Sequence, residues 1–120
     1  MIKILKITIL ILLLISTLIS GENNIHTVDS EESFKKALRA AEEGDTILWA
    51  PGTYEDIDLN IRQDNIIIKA EVPGQTIFTG RSKAFFSGDN ITFEGFQFLD
   101  GNIGQENVIE STGSHNTFSQ

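Results

Sequence analysis

An internal repeat constrains this chain more than any other feature. Asp64-Asn65-Ile66-Ile67-Ile68 returns 25 residues later as Asp89-Asn90-Ile91-Thr92-Phe93, and again as Ser114-His115-Asn116-Thr117-Phe118. The same offset carries Gly88 to Gly113, Ile61 to Phe86, and Leu59 to Ala84 and then Ile109. A period of roughly 20 to 50 residues marks stacked units, none of which can bury its apolar face alone. Inside each period the apolar runs are short and β-branched or aromatic, and Gly, Asn, Asp or Pro separate them. Thr46 to Trp49, Ile57 to Ile61, Ile66 to Ile68, Thr76 to Gly80, Ala84 to Phe86, Ile91 to Phe93, Phe96 to Phe98 and Val108-Ile109 read as strands. Ala50 to Tyr54 and Pro73-Gly74 read as turns. The pattern predicts an all-β fold, a solenoid of parallel coils with about 25 residues per coil, in which each strand pairs with its copy one turn on. Three to four coils are expected. The chain ends at Gln120 in mid-repeat, so the solenoid is expected to be incomplete at its C-terminus.

Turn residues carry the recurrence. Asn65 and Asn90 lie one coil apart, His115 occupies the next equivalent position, and Asn116 falls one residue out of register. Aligned asparagines can form hydrogen-bonded ladders between stacked chains. That structural reading, with inward-facing side chains, outweighs the reading of Asn90-Ile91-Thr92 as a glycosylation acceptor. Gly44, Gly80, Gly88, Gly95 and Gly113 are the other expected structural positions.

The chain divides into two parts. In residues 1–20, Lys3 and Lys6 precede an uncharged run from Ile7 to Ile19, and small Ser20 and Gly21 follow. This is the pattern of a secretory signal peptide, with a retained membrane anchor as the other reading. The run is short for a span, which takes about 20 apolar residues. It implies a secreted, extracellular protein, or a periplasmic one in a bacterium. Residues 21–120 are then an N-terminal cap and the first coils. Ile25 to Val28 suits a short strand, and Ser30 is placed to cap a helix that Glu31 and Glu32 open. Phe34, Ala37, Leu38 and Ala41 form one apolar stripe, and Gly44 is the expected helix stop. A lone amphipathic helix before a strand array suits the cap of an open solenoid end. Lys35, Lys36 and Arg39 lie off the stripe as a solvated face.

Composition narrows the partners. The formal net charge of the 120 residues is −8, and loss of Lys3 and Lys6 with a leader makes it −10. That disfavours nucleic acid and any stable membrane partner. Cysteine is absent, which removes disulfides and thiolate metal sites. No phosphate loop, zinc-type His/Glu spacing or nucleophile elbow is present. Glu55-Asp56-x-Asp58 is more often a solvated turn than a calcium site, because it lacks the glycine-spaced loop. Glu94, Asp100, Glu106 and Glu110 share one groove only if the coils align them. Trp49 and Tyr54 suit either stacking on sugar rings or packing under the cap.

Two strings carry a family resemblance. Gly44-Asp-Thr-Ile-Leu-Trp-Ala-Pro-Gly-Thr-Tyr54 resembles the first coil of pectate-lyase-like β-helices. Ile66-Ile-Ile-Lys-Ala-Glu-Val-Pro-Gly-Gln-Thr-Ile-Phe-Thr-Gly-Arg-Ser82, with Gly88 to Gly101 after it, resembles the N-terminal coils of polysaccharide lyase family 6, the chondroitinase B and alginate lyase family. The resemblance runs from Val28 to Gly101, with Thr76 where a smaller residue or valine is expected. It implies a right-handed parallel β-helix, monomeric at full length, that acts on an acidic uronate polysaccharide by β-elimination. It also implies calcium in the full-length protein, with a lysine base and a nearby arginine. None of Lys69, Arg81 or Lys83 stands in a catalytic motif of that family. No catalytic, substrate-binding or metal-binding residue is therefore assigned, and this chain alone is expected to be inactive. A non-catalytic carbohydrate-binding or structural β-helix, and a pectinesterase-like or pectate-lyase-like enzyme, are the alternatives.

Overall fold

Period-2 alternation fixes which side of each strand faces inward. In Asp58–Ile61, Leu59 and Ile61 are buried while Asp58 and Asn60 are exposed. A strand with one apolar face needs neighbours in register, and the 25-residue repeat supplies them. The computed structural model describes residues 22–99 and 108–120. Its elements run β1 (Ile25–Val28), α1 (Glu31–Ala40), β2 (Thr46–Trp49), β3 (Gly52–Glu55), β4 (Asp58–Ile61), β5 (Ile67–Ala70), β6 (Thr76–Thr79), β7 (Lys83–Phe86), β8 (Thr92–Glu94), β9 (Phe96–Phe98), β10 (Ile109–Ser111) and β11 (Thr117–Ser119).

The strands form three sheets of parallel neighbours, ordered β1-β2-β5-β8-β11, β3-β6-β9 and β4-β7-β10. The chain visits each sheet once per circuit, so the described residues form a parallel β-helix. The predicted register holds: Leu59 pairs with Ala84, and Ala84 with Ile109, while Ile61 pairs with Phe86. Each coil carries three strands. Pro51-Gly52 turns the chain as expected, but Gly52 already begins β3, so Thr53 and Tyr54 belong to a strand rather than to the turn.

The recurring asparagines act through their backbone. Gly44, Asn65, Asn90 and His115 occupy one corner of successive coils, with φ of 88°, 56°, 55° and 59°. Asn and His tolerate this left-handed conformation better than most side chains do, and Gly adopts it freely. The expected inward asparagine ladder is therefore corrected. Asn65 donates from Nδ2 to Glu43 Oε1 at 3.2 Å, and Asn90 is exposed. Aspartate supplies the ladder instead. Asp64 Oδ1 accepts from the backbone of Asp89, and Asp89 Oδ1 accepts from that of Ser114, both at 2.8 Å. Asn116, out of register in sequence, accepts from Ile91 N–H at 2.9 Å and donates to the Gly88 carbonyl at 3.0 Å. Gly88 and Gly113 are required by close approach. A Cβ at Gly88 would strike the Gln63 carbonyl, and one at Gly113 would strike the Gly88 carbonyl. Gly80 sits at a second left-handed corner above Asp56, whose Oδ1 accepts from Arg81 N–H at 2.7 Å.

The helix closes one end of the stack. Ser30 caps it, accepting from Ser33 N–H, and Ser33 answers to the cap backbone. Phe34, Ala37 and Leu38 are buried on the expected stripe. The helix ends at Ala40 through an extended Ala41, not at Gly44. Gly44 instead donates to the Asn65 carbonyl as the first coil corner, so the strand ladder claims it rather than the helix. Phe34 packs on Trp49, with ring centroids 5.4 Å apart, and Trp49 meets Tyr54 and Phe78 edge-on. Rings continue through Phe78, Phe96 and Phe93 along the stack.

Buried Asp45 ties the cap to the first coil. Its carboxylate accepts from Asn24 N–H and Glu42 N–H at 2.9 Å each, and bonds His26 Nε2 at 3.0 Å. The Glu42 amide, His26 and the Asn24 amide together lower its pKa from 3.8 to about 2.

Two outcomes are expected. The folded pKa of Asp45 lies below its unfolded value, so its stabilisation is complete above pH 3.8 and fades as pH falls toward 2. In urea titrations read by Trp49 fluorescence, Asp45→Asn is less stable than the parent at neutral pH, and the gap narrows over that window. Gly88→Ala lowers stability by about 1–3 kcal/mol through overpacking, whereas Ser87→Ala next to it stays within about 0.5 kcal/mol.

Candidate functional site

Connection length shapes the surface. Between β5 and β6 the chain uses the five residues Glu71 to Gln75, whereas between β8 and β9 it uses Gly95 alone. The third coil thus cuts its corner short, and Gly95, at φ 84°, lies close against Ala70 and Pro73. A Cβ at Gly95 would sit 3.2 Å from the Ala70 Cβ. Two depressions adjoin where this corner is cut, both lined by Pro73, Gly95 and Gln120.

The larger has a volume of about 690 Å³ and opens among Phe93, Phe96, Phe98, Ile109 and Phe118. These rings continue the interior stack, so this is the uncovered end of the coil interior. The smaller, about 300 Å³, is of mixed character, and Lys69, Glu71, Glu94 and Gln120 line it together with Ala70, Pro73 and Gly95. Lys69 and Glu94 are register partners on β5 and β8. They point outward because their neighbours Ile68, Ala70 and Phe93 are buried. Glu94 Oε2 accepts a long bond, 3.5 Å, from Ser119 Oγ.

The other sequence candidates separate. Glu94 lies on the β1-β2-β5-β8-β11 sheet and Glu110 on the β4-β7-β10 sheet, so the two do not share a groove. Asp100 and Glu106 fall outside the described residues. Asp56 is spent on the coil-to-coil bond to Arg81, and Glu31 Oε1, not a metal, meets the Asp58 amide at 2.9 Å. Among the described residues, no three His, Asp or Glu side chains stand close enough to hold a metal ion. Trp49 is fully buried and unavailable to a sugar ring. Tyr54 is half-buried, its hydroxyl donating to the Ala50 carbonyl at 2.7 Å. His115 is an exposed corner residue.

Sequence reasoning missed two features. His26 and Asp45 are 19 residues apart and meet only when β1 pairs with β2. The groove beside Lys69 needs the short Gly95 corner, whose signal is the shrinkage of the interval between sheet-equivalent residues Thr76 and Phe96.

Parallel coils closed by a helix define the class as a parallel β-helix protein. Residues 28–119 match the family model described as Chondroitinase B, and the chain belongs to that family. Two solved structures are similar to it. The PL6 family alginate lyase AlyGC shares 28% identity at a TM-score of 0.67, over 71% of this chain and 12% of that one. The PL6 family polysaccharide lyase Pedsa3628 from Pseudopedobacter saltans shares 26% identity at a TM-score of 0.73, over 77% of this chain and 23% of that one. The chain therefore spans less than a quarter of either neighbour's length. No curated protein sequence matches it.

Proposed function

We propose that this chain is the N-terminal portion of a secreted polysaccharide lyase that cleaves a uronic-acid polysaccharide, of the alginate or dermatan/chondroitin type, by β-elimination. The observation that carries the proposal is the family match over residues 28–119, joined to structural neighbours described as PL6 lyases. In the reaction a base takes the proton at C5 of the uronate. The electron pair left behind forms the C4–C5 double bond, and the bond from C4 to the glycosidic oxygen breaks, the oxygen leaving with the bonding pair and taking up a proton to become a hydroxyl. The carboxylate at C5 makes that proton acidic only when its own charge is offset. In this reading calcium, with residues beyond those described, offsets it in the full-length enzyme, and no step is assigned to the chain's own side chains. The described coils supply scaffold, and the isolated chain is inactive.

A second reading, a β-helix that binds carbohydrate without cleaving it, has one observation in its favour. The described residues present an outer-surface groove in which charged Lys69, Glu71 and Glu94 stand beside Ala70 and Pro73.

The test is the ultraviolet absorbance of the unsaturated uronate product. The secreted full-length product is given alginate or dermatan sulfate, with and without a chelator. Growth of absorbance with one substrate, abolished by the chelator, is the expected result, and the 120-residue chain alone gives none. No growth with either substrate overturns the lyase reading and favours the binding protein.

A further inference from the structure

We propose that Asn90 is an acceptor for a single N-linked glycan, carried outward from the corner that leads into β8. The proposal rests on the secretion reading above and not on the lyase chemistry. Asn90-Ile91-Thr92 is the one Asn-x-Thr or Asn-x-Ser run in the 120 residues. An inward asparagine ladder would have hidden it, but Asn90 is exposed. Fully buried Ile91 lies between Asn90 and Thr92, so the two flanking side chains turn away from the core. Among the described residues neither the Asn90 amide nor the Thr92 hydroxyl makes a hydrogen bond. The other asparagines of the repeat differ on both counts. Asn65 Nδ2 is held by Glu43 Oε1 at 3.2 Å, and Asn116 Nδ2 by the Gly88 carbonyl and Ser111 Oγ at 3.0 Å each. Neither has a hydroxyl two residues on, where Ile67 and Phe118 stand.

The corner tolerates the modification because its structural work is done by the backbone. The Asn90 φ of 55° and its N–H, which donates to the Ser114 carbonyl at 3.0 Å, hold the turn. The side-chain bond to the next coil comes from Asp89, whose Oδ1 accepts from Ser114 N–H at 2.8 Å. A substituent on the Asn90 amide therefore leaves both ladders intact. A glycan is bulky and rich in hydroxyls, so it must stand in water. The outward placement of Asn90 allows that, and an inward one would not. In the transfer, the donor is an oligosaccharide on a lipid pyrophosphate. Asn90 Nδ2 bonds to C1 of the first sugar and gives up a proton. The bond from C1 to the pyrophosphate oxygen breaks, and the lipid pyrophosphate leaves with the bonding pair. Transferase and donor both belong to the secretory compartment, and the hydroxyl of Thr92 completes the sequence that the transferase accepts.

The test is translation of the 120-residue chain into glycosylating microsomes. It is run once with residues 1–20 in place and once with a proven secretory leader instead. Protection from added protease identifies the translocated chain. The parent is expected to gain one glycan, which a peptide N-glycosidase removes, leaving aspartate at position 90 in peptide mass spectra. Thr92→Ser is expected to keep the glycan, and Thr92→Val and Asn90→Asp to lose it entirely. Thr92→Val keeps a β-branched residue in β8 and leaves the left-handed corner untouched, so its loss is not a failure to fold. After detergent release, the glycosylated parent is expected to resist limited proteolysis as well as Thr92→Val does. A translocated parent without glycan overturns the proposal, as does a glycan that persists in Thr92→Val. Faster digestion of the glycosylated chain also overturns it, because the folded corner then does not carry the glycan outward. Failure of the secretion reading shows separately. A glycan gained only behind the proven leader keeps the site and rejects that reading, whereas translocation by residues 1–20 without a glycan does the reverse.

Discussion

The backbone hydrogen-bond ladder between coils is the interaction on which the rest of this structure depends. Each coil is too small to hold a core, and its strands, at three or four residues, are too short to persist alone. Stacking in parallel register satisfies their N–H and C=O groups and lays apolar side chains over their copies. The ladder must pass the corners without interruption. Gly44, Asn65, Asn90 and His115 accomplish this by turning left-handed, and the backbone N–H groups of Gly44, Asn65 and Asn90 each donate to the coil above. Asp64 and Asp89 reinforce the same corner from their side chains. Gly88 and Gly113, two residues before Asn90 and His115, let that same corner close, because the carbonyl beneath occupies the space of a Cβ.

A ladder has ends, and the two ends here are handled differently. At the first coil, α1 lays Phe34 on Trp49, while Asp45 gathers Asn24, His26 and Glu42 around one buried carboxylate. That arrangement covers apolar surface and anchors the strand that leads into the helix. At the last described coil, Phe118 and Ile109 are each 39% exposed, whereas their equivalents one coil earlier, Phe93 and Ala84, are 3% and 2% exposed. The same positions in the repeat are core or surface according to whether another coil lies over them.

Family membership here rests on scaffold residues rather than on catalytic ones. The matching strings are turn glycines, corner asparagines and core strands, which any enzyme or binding protein on this frame requires. Function has to be argued from side chains that the frame leaves outward. Lys69, Glu71 and Glu94 are such side chains. The five-residue connection after β5 and the one-residue connection after β8 set them around a groove, and the repeat alone would not.

The sequence by itself determined the architecture. Period-2 alternation and a 25-residue recurrence admit few solutions, and the strand register, the capping helix and the pairing of Leu59, Ala84 and Ile109 all follow from them. It also marked the corner at Asn65 and Asn90, although the asparagine there serves a backbone angle, and identity of side chain alone does not distinguish that from a side-chain ladder. Only the tertiary structure decided what depends on distance between coils. It joined His26 to Asp45, gave the ladder to Asp64 and Asp89, parted Glu94 from Glu110 onto different sheets, and opened the groove at Lys69. The physical reason is the same in each case. A repeat specifies which residues stack, but corner length sets how far apart their side chains stand, and one residue more or less at a corner moves them by several ångströms.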